Sequence, residues 1–187
     1  MGQGRFSAAV GIALSVAAVA AAAPANAATG GTAAPVHTGG TAVGELSPPA
    51  PTGQVASLVG GVATAPAGAP AAVRRAIAAG NKLQHKPYRY GGGHAAFKDS
   101  AYDCSGTVSF ALHGARLLHA PLDSTSLEAW GKPGTGRWIT VYANAGHAYM
   151  TVAGLRLDTS GTNGRGPRWQ LAPRSSAGFV ARHPAGL

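Results

Sequence analysis

The chain has a single cysteine, Cys104, in the tetrapeptide Asp103-Cys104-Ser105-Gly106, ten residues after a run of three glycines ending at Gly93. A thiolate, not a thiol, is the nucleophile, and the start of a helix stabilises negative charge on a cysteine placed there. Ser105 and Gly106 are small enough for a substrate to approach the sulfur closely. His147 follows the turn Asn144-Ala145-Gly146 and opens an apolar stretch, where an imidazole could take the thiol proton and later return it to a leaving group. Asp158 lies 11 residues further on, at the end of what reads as the next strand of the same hairpin. Turning the chain at Ala153-Gly154 brings those two ends side by side, so the carboxylate could orient and charge-balance the imidazole. Spacing alone leaves a buried structural cysteine open as the other reading, since a free cysteine packs as a small hydrophobe.

Those three residues need two helices and a sheet to hold them. Residues 70–83 read as a helix, with Pro70 in its first turn and Val73, Ala76, Ile77 and Gly80 on one side. Residues 87–93 read as a loop, because three consecutive glycines break either periodicity. A second helix is expected from Asp103 or Cys104 to about Leu118, with Asp103 as N-cap and Val108, Ala111, Leu112, Ala115 and Leu118 as its apolar stripe. Residues 124–129 add a short helical turn. The period then becomes strand-like over 137–143, 147–152, 155–158, 168–171 and 179–183. Helices first and an antiparallel meander afterwards is an α+β pattern.

Charge and aromatic content locate the folded part. Before Val73 the charged residues are Arg5 and Glu45 alone, so the formal net charge of +9 belongs to the C-terminal portion. Eleven of the 12 Phe, Trp and Tyr residues lie beyond position 87. A segment of Ala, Gly, Pro and Thr cannot bury enough apolar area to offset its ordering entropy. Residues 1–27 have the layout of a secretory signal peptide: Arg5, an alanine-rich apolar run, then Ala25-Asn26-Ala27 as cleavage site. That run falls short of the roughly 20 residues needed to span a bilayer, so no stable membrane span is expected after cleavage. Residues 28–69 read as a disordered linker and 70–187 as the folded domain. Export would place the lone cysteine in an oxidising compartment without an intramolecular partner.

The motifs together resemble the NlpC-type bacterial cell-wall cysteine peptidases. Pro87-Tyr88 with Tyr90-Gly91-Gly92, then Asp103-Cys104-Ser105-Gly106, then Gly146-His147 before an apolar strand, stand in that family's order, over about residues 71–160. The resemblance implies a circularly permuted papain-like fold and a secreted, wall-associated peptidoglycan hydrolase. Its activity would be that of a thiol protease, cleaving an amide of the stem peptide, with γ-D-glutamate to the diamino acid as the favoured bond. It implies Cys104 as nucleophile, His147 as base and Asp158 where many members carry a second histidine; aspartate keeps an acceptor for the imidazole N–H. Tyr88 matches the tyrosine that helps stabilise the oxyanion, and Asp103 and Ser105 match positions that hold the free amine of a stem peptide in some members. The family's Pro-Gly-Asp-Leu stretch is replaced by Gly134-Thr135-Gly136-Arg137-Trp138-Ile139, which has no acidic residue. A catalytically silent wall-binding module, or an amidase or acyltransferase using the same dyad, are the competing readings.

The remaining candidates read as structural. His85, His94, His113 and His119 show no ligand spacing, and the three tryptophans suit core or groove walls better than a cofactor box. No lysine with Ser/Thr follows the glycines at phosphate-loop spacing. No metal and no cofactor are therefore expected. The positive charge suits anionic wall polymers, and no nucleic-acid module is present. A monomer is expected.

Overall fold

The computed structural model describes residues 55–171 and 173–187; the expected signal peptide and most of the expected linker lie outside them. Its elements run β1 (Ser57–Val59), β2 (Val62–Thr64), α1 (Ala71–Asn81), α2 (Cys104–Gly114), α3 (Ser124–Leu127), β3 (Lys132–Pro133), β4 (Ile139–Asn144), β5 (His147–Val152), β6 (Leu155–Asp158), β7 (Arg168–Gln170) and β8 (Val180–His183). The last six form one antiparallel sheet in the order β3-β8-β4-β5-β6-β7. The fold is α+β, as the pattern of periods indicates.

Alternation along the strands divides the sheet into two faces. Ile139, Val141 and Ala143 on β4, Ala148, Met150 and Val152 on β5, and Leu155 and Leu157 on β6 are buried in one cluster with Val73 and Ile77 of α1 and Val108 and Leu112 of α2. The other face carries Tyr142 and Tyr149, cross-strand partners whose rings stack with centroids 4.8 Å apart. Asp158 extends this second face from β6, fully buried. The β5–β6 hairpin turns at Ala153-Gly154, both at positive φ, and the register pairs Met150 with Leu157. That register places Asp158 beside the first half of β5, where His147 stands.

Both main helices lie where the periodicity puts them, with Pro70 at the N-cap position of α1. α2 ends at Gly114 rather than near Leu118, because the chain reverses through Arg116 at φ 65°. The larger difference is at the front of the domain. Residues 55–69, assigned by composition to the linker, hold the β1–β2 hairpin, and Ala56, Ala63 and Ala69 are buried in the main core. Asn81, the last residue of α1, secures this hairpin: its Nδ2 donates to the Ala63 carbonyl at 2.9 Å and its Oδ1 accepts from Ala63 N at 2.9 Å. The same Oδ1 accepts from the Trp169 indole at 2.9 Å. Small residues and an alternative set of hydrogen bonds do here what large side chains do elsewhere.

Candidate active site

Cys104 is the first residue of α2, and its position follows from the chain on either side. Asp103 caps the helix by accepting from Gly106 N at 2.8 Å, which leaves the first-turn amides directed at the cysteine's surroundings. The glycine loop packs on that first turn. A side chain at Gly106 would meet the Gly92 carbonyl at 2.0 Å, and one at Gly92 would meet the Ala101 carbonyl at 2.5 Å, so both glycines are required by close backbone approach. Asp103 Oδ2 also accepts from Gly91 N at 2.9 Å, binding the loop to the helix start through one carboxylate.

His147 opens β5, and its Nε2–H donates to Asp158 Oδ1 at 2.9 Å. Asp158 Oδ1 further accepts from Ser160 N at 2.8 Å, and Ser160 Oγ lies 3.2 Å from His147 Nε2. With Nε2 committed to the carboxylate, Nδ1 is the ring nitrogen left for the thiol, which is coupled to the imidazole by a hydrogen bond. Burial opposes ionisation of Cys104, but hydrogen bonds from His147 and Ala148 N and the imidazole's charge outweigh it and hold the thiol below its ordinary value. Burial likewise opposes charge on His147, yet Asp158 and Cys104 together raise it to about 9. Both shifts run in the direction that favours a thiolate–imidazolium pair over the neutral thiol and imidazole.

Tyr88 lies near enough to Cys104 and Asp103 for their charges to act on its hydroxyl. It forms an isolated parallel bridge with Tyr102, two residues before the nucleophile in the chain, in which Tyr102 N donates to the Pro87 carbonyl at 3.0 Å. Its hydroxyl is held above its ordinary pKa by burial first and then by the charges of Cys104, Asp103 and Tyr90, so it stays a donor. The Cys104 N–H, in the first turn of α2, lacks an intrahelical acceptor. Asp103 and Ser105 are each 3% exposed. Their oxygens are engaged within the protein: His94 Nε2 lies 3.0 Å from Asp103 Oδ1 and 3.1 Å from Ser105 Oγ.

The structure therefore brings Cys104, His147, Asp158 and Tyr88 together, with Asp103 and Ser105 beneath the nucleophile rather than open beside it. It also adds residues that the spacing did not single out: Ser160, and two arginines on Asp158 Oδ2, with Arg174 Nη1 at 3.2 Å and Arg156 Nε at 3.6 Å. Arg156 shares a strand face with Asp158, two residues away, which is a signal available in the sequence. Arg174 has none. Among the described residues no cluster of His, Cys, Asp or Glu could hold a metal ion, and no helix is long and apolar enough to cross a membrane.

A cysteine at a helix start is thus coupled to a histidine on an antiparallel sheet. No protein-family model and no curated protein matches the sequence. Solved structures do, among them proteins described as NlpC/p60 domain or family proteins. The peptidoglycan hydrolase RipB from Mycobacterium tuberculosis is 22% identical over 60% of this chain and 64% of its own, with a TM-score of 0.46. The P60 domain of an antigen from M. avium subspecies paratuberculosis is 20% identical over 59% of this chain and 93% of its own, with a TM-score of 0.43. RipD from M. tuberculosis, described as a non-catalytic NlpC/p60 domain protein adapted to peptidoglycan binding, is 18% identical over 62% of this chain and 98% of its own, with a TM-score of 0.44. This chain thus spans less than two thirds of the RipB structure.

Proposed function

We propose that the chain is an exported thiol peptidase that hydrolyses an amide of peptidoglycan stem peptides, the bond from γ-D-glutamate to the diamino acid being the favoured one. The observation that supports it most is the coupled Cys104–His147–Asp158 geometry, in which the thiol is lowered and the imidazole raised to about 9. A wall-binding module with no turnover has no use for a buried carboxylate aimed at an imidazole that is itself coupled to a thiol.

The Cys104 thiolate attacks the substrate carbonyl carbon, and the carbonyl π electrons pass to oxygen. The Cys104 N–H and the Tyr88 hydroxyl donate to that oxyanion. As the C–N bond breaks, the His147 imidazolium gives its proton to the leaving nitrogen, which departs as a neutral amine. The neutral imidazole then takes a proton from water, and the resulting hydroxide attacks the thioester. Collapse of that second adduct releases the carboxylic acid and returns the thiolate–imidazolium pair. Asp158 accepts from Nε2–H throughout, fixing the ring plane and offsetting its charge. The basic surface suits enrichment on anionic wall polymers before the peptide is engaged.

The test is incubation of the purified chain with muropeptides and with intact sacculi, following products by mass spectrometry. Cleavage between γ-D-glutamate and the diamino acid is expected, abolished in Cys104→Ala and falling above about pH 9 as His147 loses its proton. Sacculus binding without cleavage would establish the binding module instead, and a fragment cut at another bond would establish an amidase.

A further inference from the structure

Asp158 is completely buried and faces more positive charge than His147 alone supplies. Its two oxygens have separate tasks. Oδ1 takes the His147 Nε2–H and Ser160 N, while Oδ2 faces the guanidinium groups of Arg156 and Arg174. The two arginines are not equivalent. Arg156 Nε stands 3.6 Å away without a hydrogen-bond partner of its own, and Arg156 Nη2 is committed to Gln170 Oε1. Arg174 Nη1, at 3.2 Å, makes the one arginine hydrogen bond to this carboxylate among the described residues.

Arg174 lies outside any helix or strand, in described residues 173–179 before β8, so its own position has to be fixed by side-chain packing. Its guanidinium carbon lies 5.2 Å from the centroid of Tyr149 and 5.3 Å from that of Phe179. Those rings also flank the imidazole, with His147 6.5 Å from Tyr149 and 6.3 Å from Phe179. Histidine and guanidinium are therefore set by one aromatic pair, and cation–π attraction favours that placement of Arg174.

We propose that Arg174 is a positioning residue of the thiol site: it holds the Oδ2 edge of Asp158 so that Oδ1 stays aimed at His147, and it offsets part of the carboxylate's charge. The proposal rests on the thiol-site reading above, but it can be tested without a peptidoglycan substrate. The charged and titratable groups that face His147 and Asp158 are Cys104 with Asp103 behind it, Tyr149 on β5, Arg156 on β6 and Arg174 itself; Tyr88 faces the sulfur. Removing one cation from this set makes the thiolate harder to form and the imidazolium harder to deprotonate. Both pH limits of the ion pair then move in the same direction, upward.

The experiment is the rate of iodoacetamide alkylation of Cys104 against pH in the full chain, alongside the pH profile of peptide cleavage. In Arg174→Met, which keeps the stem against Tyr149 and Phe179, both limbs of the profile should rise by roughly half a unit to one unit. Arg174→Lys, which restores the charge without the planar fork, should recover at least half of that shift. Arg174→Gln gives the same readout if the methionine variant does not fold. A folded neutral variant with unmoved limbs would overturn the proposal, and so would a lysine variant no better than the neutral one. A shifted alkylation profile in a protein that cleaves no stem peptide would retain this inference and reject the peptidase reading.

Discussion

Two histidine–carboxylate pairs flank Cys104, made of the same groups at nearly the same distance: His147 with Asp158 at 2.9 Å and His94 with Asp103 at 3.0 Å. They differ in what carries them and in what else the carboxylate must do. The first spans two adjacent strands, with the histidine side chain 18% exposed and the aspartate wholly buried. Its carboxylate is shared with Ser160 N and two arginines but caps no helix, and its imidazole is coupled to the thiol. The second joins a loop to a helix cap, with the histidine 33% exposed. Its carboxylate already accepts from Gly106 N, Gly91 N and Ser105 Oγ, so the imidazole is a fourth claimant on a group whose first task is to start α2. The difference teaches that a His–Asp contact is a catalytic candidate through the remaining commitments of both partners, not through its own length.

Substitutions can break that contrast or sharpen it. Asp158→Asn should have the largest effect on rate, lowering kcat by roughly 10²-fold or more by analogy with charge loss at the acid of a catalytic triad. The iodoacetamide profile of Cys104 should move toward an unperturbed thiol at roughly pH 8.5 in the same variant. Asp103→Ala should act first on stability: loss of the cap alone costs about 1 kcal/mol, with more from Gly91 N and His94 left without their acceptor. A Tm lower by roughly 5–10 °C by calorimetry is expected, and residual activity per folded molecule well above that of Asp158→Asn. His94→Ala should be mildest, with kcat changed by no more than about threefold and Tm by no more than a few degrees, since its ring covers a carboxylate that keeps two backbone donors. If His94→Ala proved as damaging to kcat as Asp158→Asn, the division between the pairs would fall.

The His147–Asp158 pair was legible because it is local in the sheet. Period-two alternation, a turn at Ala153-Gly154 and an 11-residue spacing are enough to place two strand ends together. The helix start at Cys104 was legible from Asp103 and the glycines upstream. What surrounds Asp158 was not, apart from Arg156. Arg174 reaches it from 16 residues away through an irregular stretch, and Ser160 through a backbone turn, neither of which leaves a periodic trace. His94 showed no ligand spacing and reads as structural, yet its partners, Asp103 and Ser105, were expected to be open to substrate. The β1–β2 hairpin escaped for another reason. Its buried residues are alanines, whose composition matches that of the spacer before it, and the order comes from an amide side chain on α1.

That amide, Asn81, has a consequence for how the chain can be shortened. Its side chain binds both backbone groups of Ala63 and the indole of Trp169, so it joins a segment before α1 to a strand more than a hundred residues later. A polypeptide begun at residue 70, where charge and aromatics first gather, would leave Nδ2 without its carbonyl and strip Ala56, Ala63 and Ala69 from the core. One begun before residue 55 keeps the knot intact. For this protein the edge of the folding unit lies inside the stretch that composition marks as spacer, and a protease or a cloning primer would register the difference.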